Sequence, residues 1–129
     1  MKYHPPTIIV SKHVLEVREY LTKLHPDSIT QPYEMTVLTP EGNSLTIDQI
    51  RDFRREIQCS GSSPRIIIFE LFEQATFEAQ HALLKFLEDL AATHSFYIFT
   101  SSLESVIPTI RSRCKIIVLK DDVYLSEKI

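Results

Sequence analysis

Glycine is nearly missing from this chain: Gly42 and Gly61 are the only two in 129 residues. They stand 19 positions apart, so the chain contains no G-x-x-x-x-G-K-[ST] phosphate loop. The dinucleotide fingerprint G-x-G-x-x-G and the nucleophile elbow G-x-S-x-G are excluded by the same count. Cysteine is equally scarce. Cys59 and Cys114 make neither a C-x-x-C metal pair nor a secreted disulfide framework. No stretch of about 18 apolar residues occurs, so no membrane-spanning helix is expected. The opening MKYHPPTIIVSKH is too short in its apolar part for a signal peptide and is broken by two prolines. Nor does one sign of charge dominate. The 14 basic and 17 acidic residues leave a net charge of −3, which exerts no long-range pull on DNA or anionic membranes. A reduced, cytoplasmic protein is the expectation.

What is present is ordinary for a globular domain: 43% hydrophobic and 24% charged residues, enough for one core without metal or disulfide. The reading is a single domain over residues 1–120 and a flexible tail over 121–129, with no internal repeat and no dividing linker.

Apolar runs alternate with amphipathic segments throughout. Thr7–Ser11 reads as a buried strand, and Val14, Val17, Leu21 and Leu24 then mark one face of a helix. Glu34–Leu38 is a short strand that stops at Thr39-Pro40-Glu41-Gly42-Asn43. Thr46 and Gln49 form a capping box, opening a helix with Ile47, Ile50, Phe53 and Ile57 inward. Arg65–Glu70 is apolar without alternation, as a central strand covered on both faces should be. Its three isoleucines, Ile66, Ile67 and Ile68, are expected to be buried on both sheet faces, packing against Leu83, Leu84 and Leu87. Thr76 caps the next helix, whose inner face is read as Phe77, Leu83, Leu84, Leu87 and Leu90. Ser95–Thr100 is a strand, Leu103–Arg113 is one or two short helices with Pro108 at a first turn, and Lys115–Leu119 is the last strand. Five strands alternating with helices predict an α/β fold, three layers around a mostly parallel five-stranded sheet.

The five histidines, His4, His13, His25, His81 and His94, show no metal-ligand spacing, and no metal or cofactor is expected. Glu70 is more informative. It ends the most hydrophobic strand, where ligands bind in open α/β sheets, with Glu73 three residues on. Either a metal or nucleotide site or a solvated strand end fits that position. Arg111 and Arg113 flank Ser112 just before the last strand. They suit the capping of a helix end or an arginine offered to a phosphate on another molecule, because a guanidinium fork matches phosphate oxygens.

Four stretches taken together carry a resemblance. They are Leu45-Thr46-Ile47-Asp48-Gln49-Ile50-Arg51, Ile66-Ile67-Ile68-Phe69-Glu70, Ala79-Gln80-His81-Ala82-Leu83-Leu84-Lys85-Phe86-Leu87-Glu88 and Pro108-Thr109-Ile110-Arg111-Ser112-Arg113-Cys114. They resemble the AAA+ module of bacterial sliding-clamp loaders, in particular the delta-prime and gamma/tau subunits of DNA polymerase III. The resemblance runs from about Pro40 to Leu119. It implies a P-loop-NTPase-like domain in which Glu70 and Leu71 occupy the Walker B end and Thr100 and Ser101 the nucleotide-sensing position. Ser112, Arg113 and Cys114 occupy the S-R-C segment that carries an arginine acting in trans.

The departures from that pattern are as telling. Val10-Ser11-Lys12-His13-Val14 stands where family ATPases have the P-loop, and without loop amides Lys12 has no phosphate cradle. Leu71 replaces the second acid and cannot orient a water. The family's zinc-ribbon cysteines are missing. The expectation is a catalytically inactive clamp-loader subunit of delta-prime type that contacts a gamma/tau-like ATPase neighbour. It would reach the sliding clamp and DNA only through the assembly. The alternatives are a small AAA+-like NTPase or metal-dependent enzyme with an atypical site near Glu70 and Lys12, or a truncated fragment without function, since the family's lid and collar would follow where this chain stops.

Overall fold

The computed structural model describes residues 5–12, 19, 23, 34–59 and 65–119. The amphipathic segment from Val14 to Leu24 lies outside them apart from Glu19 and Lys23, which are helical, and so does the tail over 121–129.

Five strands make one sheet: β1 (Thr7–Val10), β2 (Glu34–Leu38), β3 (Arg65–Phe69), β4 (Ser95–Thr100) and β5 (Lys115–Val118). Their order is β2-β3-β4-β1-β5 and every pairing is parallel. The fold is thus a three-layer α/β domain on a fully parallel sheet. Glu70 lies just beyond β3, and its amide still donates to the Leu38 carbonyl at 3.0 Å, continuing the ladder one step. The edges are β2 and β5, where Met35, Val37, Ile116 and Val118 are exposed.

Among the residues from 34 to 119 that the structure describes, the helices follow their sequence signals. Helix α1 (Ile47–Cys59) opens on the capping box: the Gln49 amide donates to Thr46 Oγ1 at 3.3 Å, and the Thr46 amide donates to Gln49 Oε1 at 3.4 Å. Helix α2 (Phe77–Leu90) is capped by Thr76, whose Oγ1 accepts the Ala79 amide at 3.1 Å. A 3₁₀ turn (Leu103–Ser105) precedes the single-turn helix α3 (Pro108–Arg111), with Pro108 in the first turn where its missing N–H costs nothing.

The core sits mainly under α1 and α2. Ile50, Phe53 and Ile57 of α1 and Leu83, Phe86 and Leu87 of α2 close over Ile8, Ile67, Phe69, Phe96 and Ile98 of the sheet. Phe53, Phe69, Phe86 and Phe96 form an aromatic knot there with ring centroids 5.5–6.3 Å apart, mostly edge to face, the arrangement favoured by the ring quadrupole. Strand alternation divides the three isoleucines of β3. Ile67 meets the α2 leucines, whereas Ile66 and Ile68 join Ile9, Tyr97 and Phe99 in a separate buried cluster on the opposite face. The expectation that all three pack against Leu83, Leu84 and Leu87 therefore holds for Ile67 alone. Phe77 also departs from its assignment to the inner face of α2. It is 64% exposed and rests edge-on against His81, because as the first helical residue it lies beyond the edge of the core stripe. Phe86 takes the inward place instead.

Candidate functional site

Because β4 is inserted between β3 and β1, the carboxyl ends of these three strands lie side by side at one end of the sheet. A small open cleft lies there, lined by Ser11 and Lys12 after β1, Glu70, Leu71 and Glu73 after β3, and Phe99, Thr100 and Ser101 at the end of β4. Crevices at strand ends where the sheet order reverses are the usual ligand positions of this architecture. The topology thus brings Glu70, Leu71, Thr100 and Ser101 together from segments some 30 residues apart.

The cleft has a definite internal order. Glu70 is buried, whereas Lys12 is exposed. Leu71 holds a left-handed backbone, φ 53° and ψ 44°, the only non-glycine among the described residues with positive φ. That conformation costs a branched side chain about 1–2 kcal/mol and is held by the 3₁₀ turn that follows. The Gln74 amide donates to the Leu71 carbonyl at 2.9 Å, and Phe72 is fully buried beneath. Glu73 reaches across to accept the Ser101 amide at 3.2 Å, stitching that turn to the end of β4. The hydroxyl of Thr100 donates to the Ser102 carbonyl at 2.9 Å and lies 3.2 Å from Ser105 Oγ, so its polar capacity is spent within its own loop.

The cleft holds about 50 Å³, room for a few waters. The segment after β1 has no glycine to bring amides round a phosphate, and an apolar residue, Leu71, follows Glu70. Among the described residues no group of three His, Cys, Asp or Glu could hold a metal ion.

Away from the cleft, the Ser112-Arg113-Cys114 segment forms the turn between α3 and β5. The carbonyls of α3 are taken by backbone amides: Ser112 donates to Pro108 at 2.9 Å, Arg113 to Ile110 at 3.0 Å and Cys114 to Arg111 at 3.3 Å. Ser112 Oγ donates to the Thr109 carbonyl at 3.0 Å. The helix end is thereby closed without the Arg113 side chain, whose Nη2 instead reaches Glu88 Oε1 of α2 at 3.1 Å. Both side chains are 51% exposed. The Arg113 guanidinium is therefore a half-exposed group paired with Glu88 and not the group that closes α3.

The fold agrees with what comparison with other proteins finds. The family model for the DNA polymerase III delta subunit matches residues 15–123, most of the chain. This chain belongs to that family. The delta-subunit family member is 28% identical over 81 residues to the sliding-clamp-loader large subunit of Escherichia phage RB69, covering 59% of this chain and 25% of the phage protein. Among solved structures it resembles a DNA polymerase III gamma-subunit-related protein of Thermotoga maritima, with a TM-score of 0.74 and 22% identity. That likeness covers 98% of this chain and 45% of the other. The Drosophila origin recognition complex bound to DNA is more remote, with a TM-score of 0.55, 11% identity, and coverage of 92% of this chain and 26% of the other. Both structural likenesses speak for the fold alone. The family member spans less than half the length of each of these relatives.

One residue of this delta-family module escapes sequence reasoning. Gln80 sits inside the Ala79–Glu88 stretch, 5% exposed. Its Nε2 donates to the Ser105 carbonyl at 2.9 Å, and its Oε1 accepts the Ile107 amide at 2.8 Å. A single buried amide therefore pins the loop leading into α3 from both sides and sets where the Arg113 turn begins. The only sequence signal was a polar residue on the inward stripe of an amphipathic helix. Cys114 is half-buried, and burial pushes its thiol up to about 11, in keeping with a structural thiol rather than a nucleophile.

Proposed function

We propose that this module is a catalytically inactive clamp-loader subunit of delta-prime type, which docks on a gamma/tau-like ATPase neighbour and offers Arg113 to the nucleotide held there. The observation that carries this reading is a contrast between two sites. At the cleft Leu71 stands beside Glu70 and no glycine follows β1, while Arg113 stands half exposed on a turn closed by other groups. Phosphoryl transfer spreads negative charge over the γ-phosphate oxygens, and a guanidinium fork supplied in trans stabilises that charge. A module without its own P-loop can do this. Contact with the sliding clamp and DNA would follow through the assembly, in the cytoplasm. The naming of the phage relative as a sliding-clamp-loader subunit and the family match support placement in DNA replication.

The test mixes the chain, as wild type or Arg113→Ala, with the gamma-type ATPase subunit, clamp and primed DNA of the same source. Arg113→Ala is expected to assemble normally and to reduce ATP turnover by about 10³-fold, the lower end for such arginines. Normal assembly with wild-type turnover would remove the trans role.

A further inference from the structure

Glu88 stands in the last turn of α2, where the helix dipole disfavours a carboxylate, and that turn carries no basic residue of its own. Asp89 follows it in the same unfavourable place. Each acid is answered from another element: Asp89 pairs with Arg54 of α1, and Glu88 with Arg113 of the turn after α3. The acidic end of α2 is therefore fastened to α1 on one side and meets the arginine turn on the other. Resting on the trans reading of Arg113 given above, we infer that Glu88 is the positioning residue for that arginine.

The physical case has three parts. An arginine side chain has several free torsions, and a half-exposed one samples many directions unless something holds it. Glu88 draws one end of the fork by an ion pair, Nη2 to Oε1 at 3.1 Å, on one side of a group with five N–H donors. The backbone beneath is also fixed, since Gln80 clamps Ser105 and Ile107 and the Arg113 amide donates to Ile110. With the backbone fixed and one guanidinium end drawn to Glu88, the fork is biased toward one direction before a phosphate arrives. Because the pair is half exposed, a more highly charged anion can still engage the same fork.

A double-mutant cycle in the reconstituted assembly tests this. Wild type, Glu88→Gln, Arg113→Ala and the double variant are each combined with the gamma-type ATPase subunit, clamp and primed DNA. Assembly is followed by gel filtration, and kcat and KM for ATP are measured. Glu88→Gln is expected to assemble fully, keep its KM and lose roughly 3- to 10-fold in kcat, the scale of a misdirected catalytic contact. Glu88→Asp, one methylene shorter, should fall between. In the Arg113→Ala background Glu88→Gln should cost nothing more. Unchanged or raised kcat in Glu88→Gln overturns the inference, as does an equal loss in both backgrounds, and the trans reading survives either result. Wild-type turnover in Arg113→Ala, or failure of the wild-type chain to assemble, sinks the trans reading and the inference together.

Discussion

The backbone amide of Arg65 donates to Nδ1 of His94 at 3.1 Å, joining the first residue of β3 to the residue before β4 at the end of the sheet remote from the cleft. The bond requires a neutral ring with its proton on Nε2. Burial, and secondarily the charge of Arg65, hold the imidazole below its usual value of 6.5. Between the lowered folded value and the unfolded one, the unfolded chain binds more protons. Stability is then complete above about pH 6.5 and is lost as the pH falls toward the lowered value. Urea midpoints should drop between pH 7.5 and pH 5.5, and drop less in His94→Asn, whose Oδ1 can accept the same amide without titrating. Equal drops in the two proteins would detach the effect from His94.

Gln80→Leu should destabilise the domain by about 1–3 kcal/mol, since it strips two buried backbone groups, the Ile107 amide and the Ser105 carbonyl, of their partner. Urea unfolding measures it. A loss under roughly 0.5 kcal/mol would mean that the loop finds other partners and that the amide does not set the position of α3.

Ile67 is fully buried on the interior strand β3, between β2 and β4 and in one cluster with the α2 leucines. Ile67→Ala should cost about 2–5 kcal/mol, much of what a small domain has. A change near zero in the same urea melts would contradict the packing.

A fluorescent ATP analogue with Mg²⁺ should show no saturation at low micromolar concentration, because the cleft offers no glycine-loop amides and Leu71 in place of a second acid. Saturable binding in that range would return the atypical-enzyme reading to the front.

Thiol labelling should separate the two cysteines. Cys59 is exposed, whereas Cys114 is half-buried with its thiol near 11. At pH 8 only about one Cys114 in a thousand is thiolate, the reactive form. Iodoacetamide should therefore modify Cys59 first and Cys114 far more slowly, as read by mass spectrometry. Comparable rates would show that Cys114 is more open than the structure has it.

Much of this protein was decided locally, and that part was legible without coordinates. Hydrophobic period marked the strands and helices, Thr46 with Gln49 and Thr76 marked two helix starts, and Pro108 marked a third. The glycine count removed the phosphate loop before any geometry was known. Such signals act over a few residues, where backbone sterics and capping bonds decide the outcome. What depends on pairing across long stretches of chain was not written in any one segment. The insertion of β4 between β3 and β1 gathers Glu70, Leu71, Thr100 and Ser101 round one cleft. Strand pleat sends Ile66 and Ile68 to the face opposite Ile67, and the limit of the core stripe leaves Phe77 outside. The Gln80 clamp and the Glu88–Arg113 pair join residues 25 or more positions apart. They exist because α2 and the α3 turn pack on the same face of the sheet, a contact that only burial of the shared core can bring about.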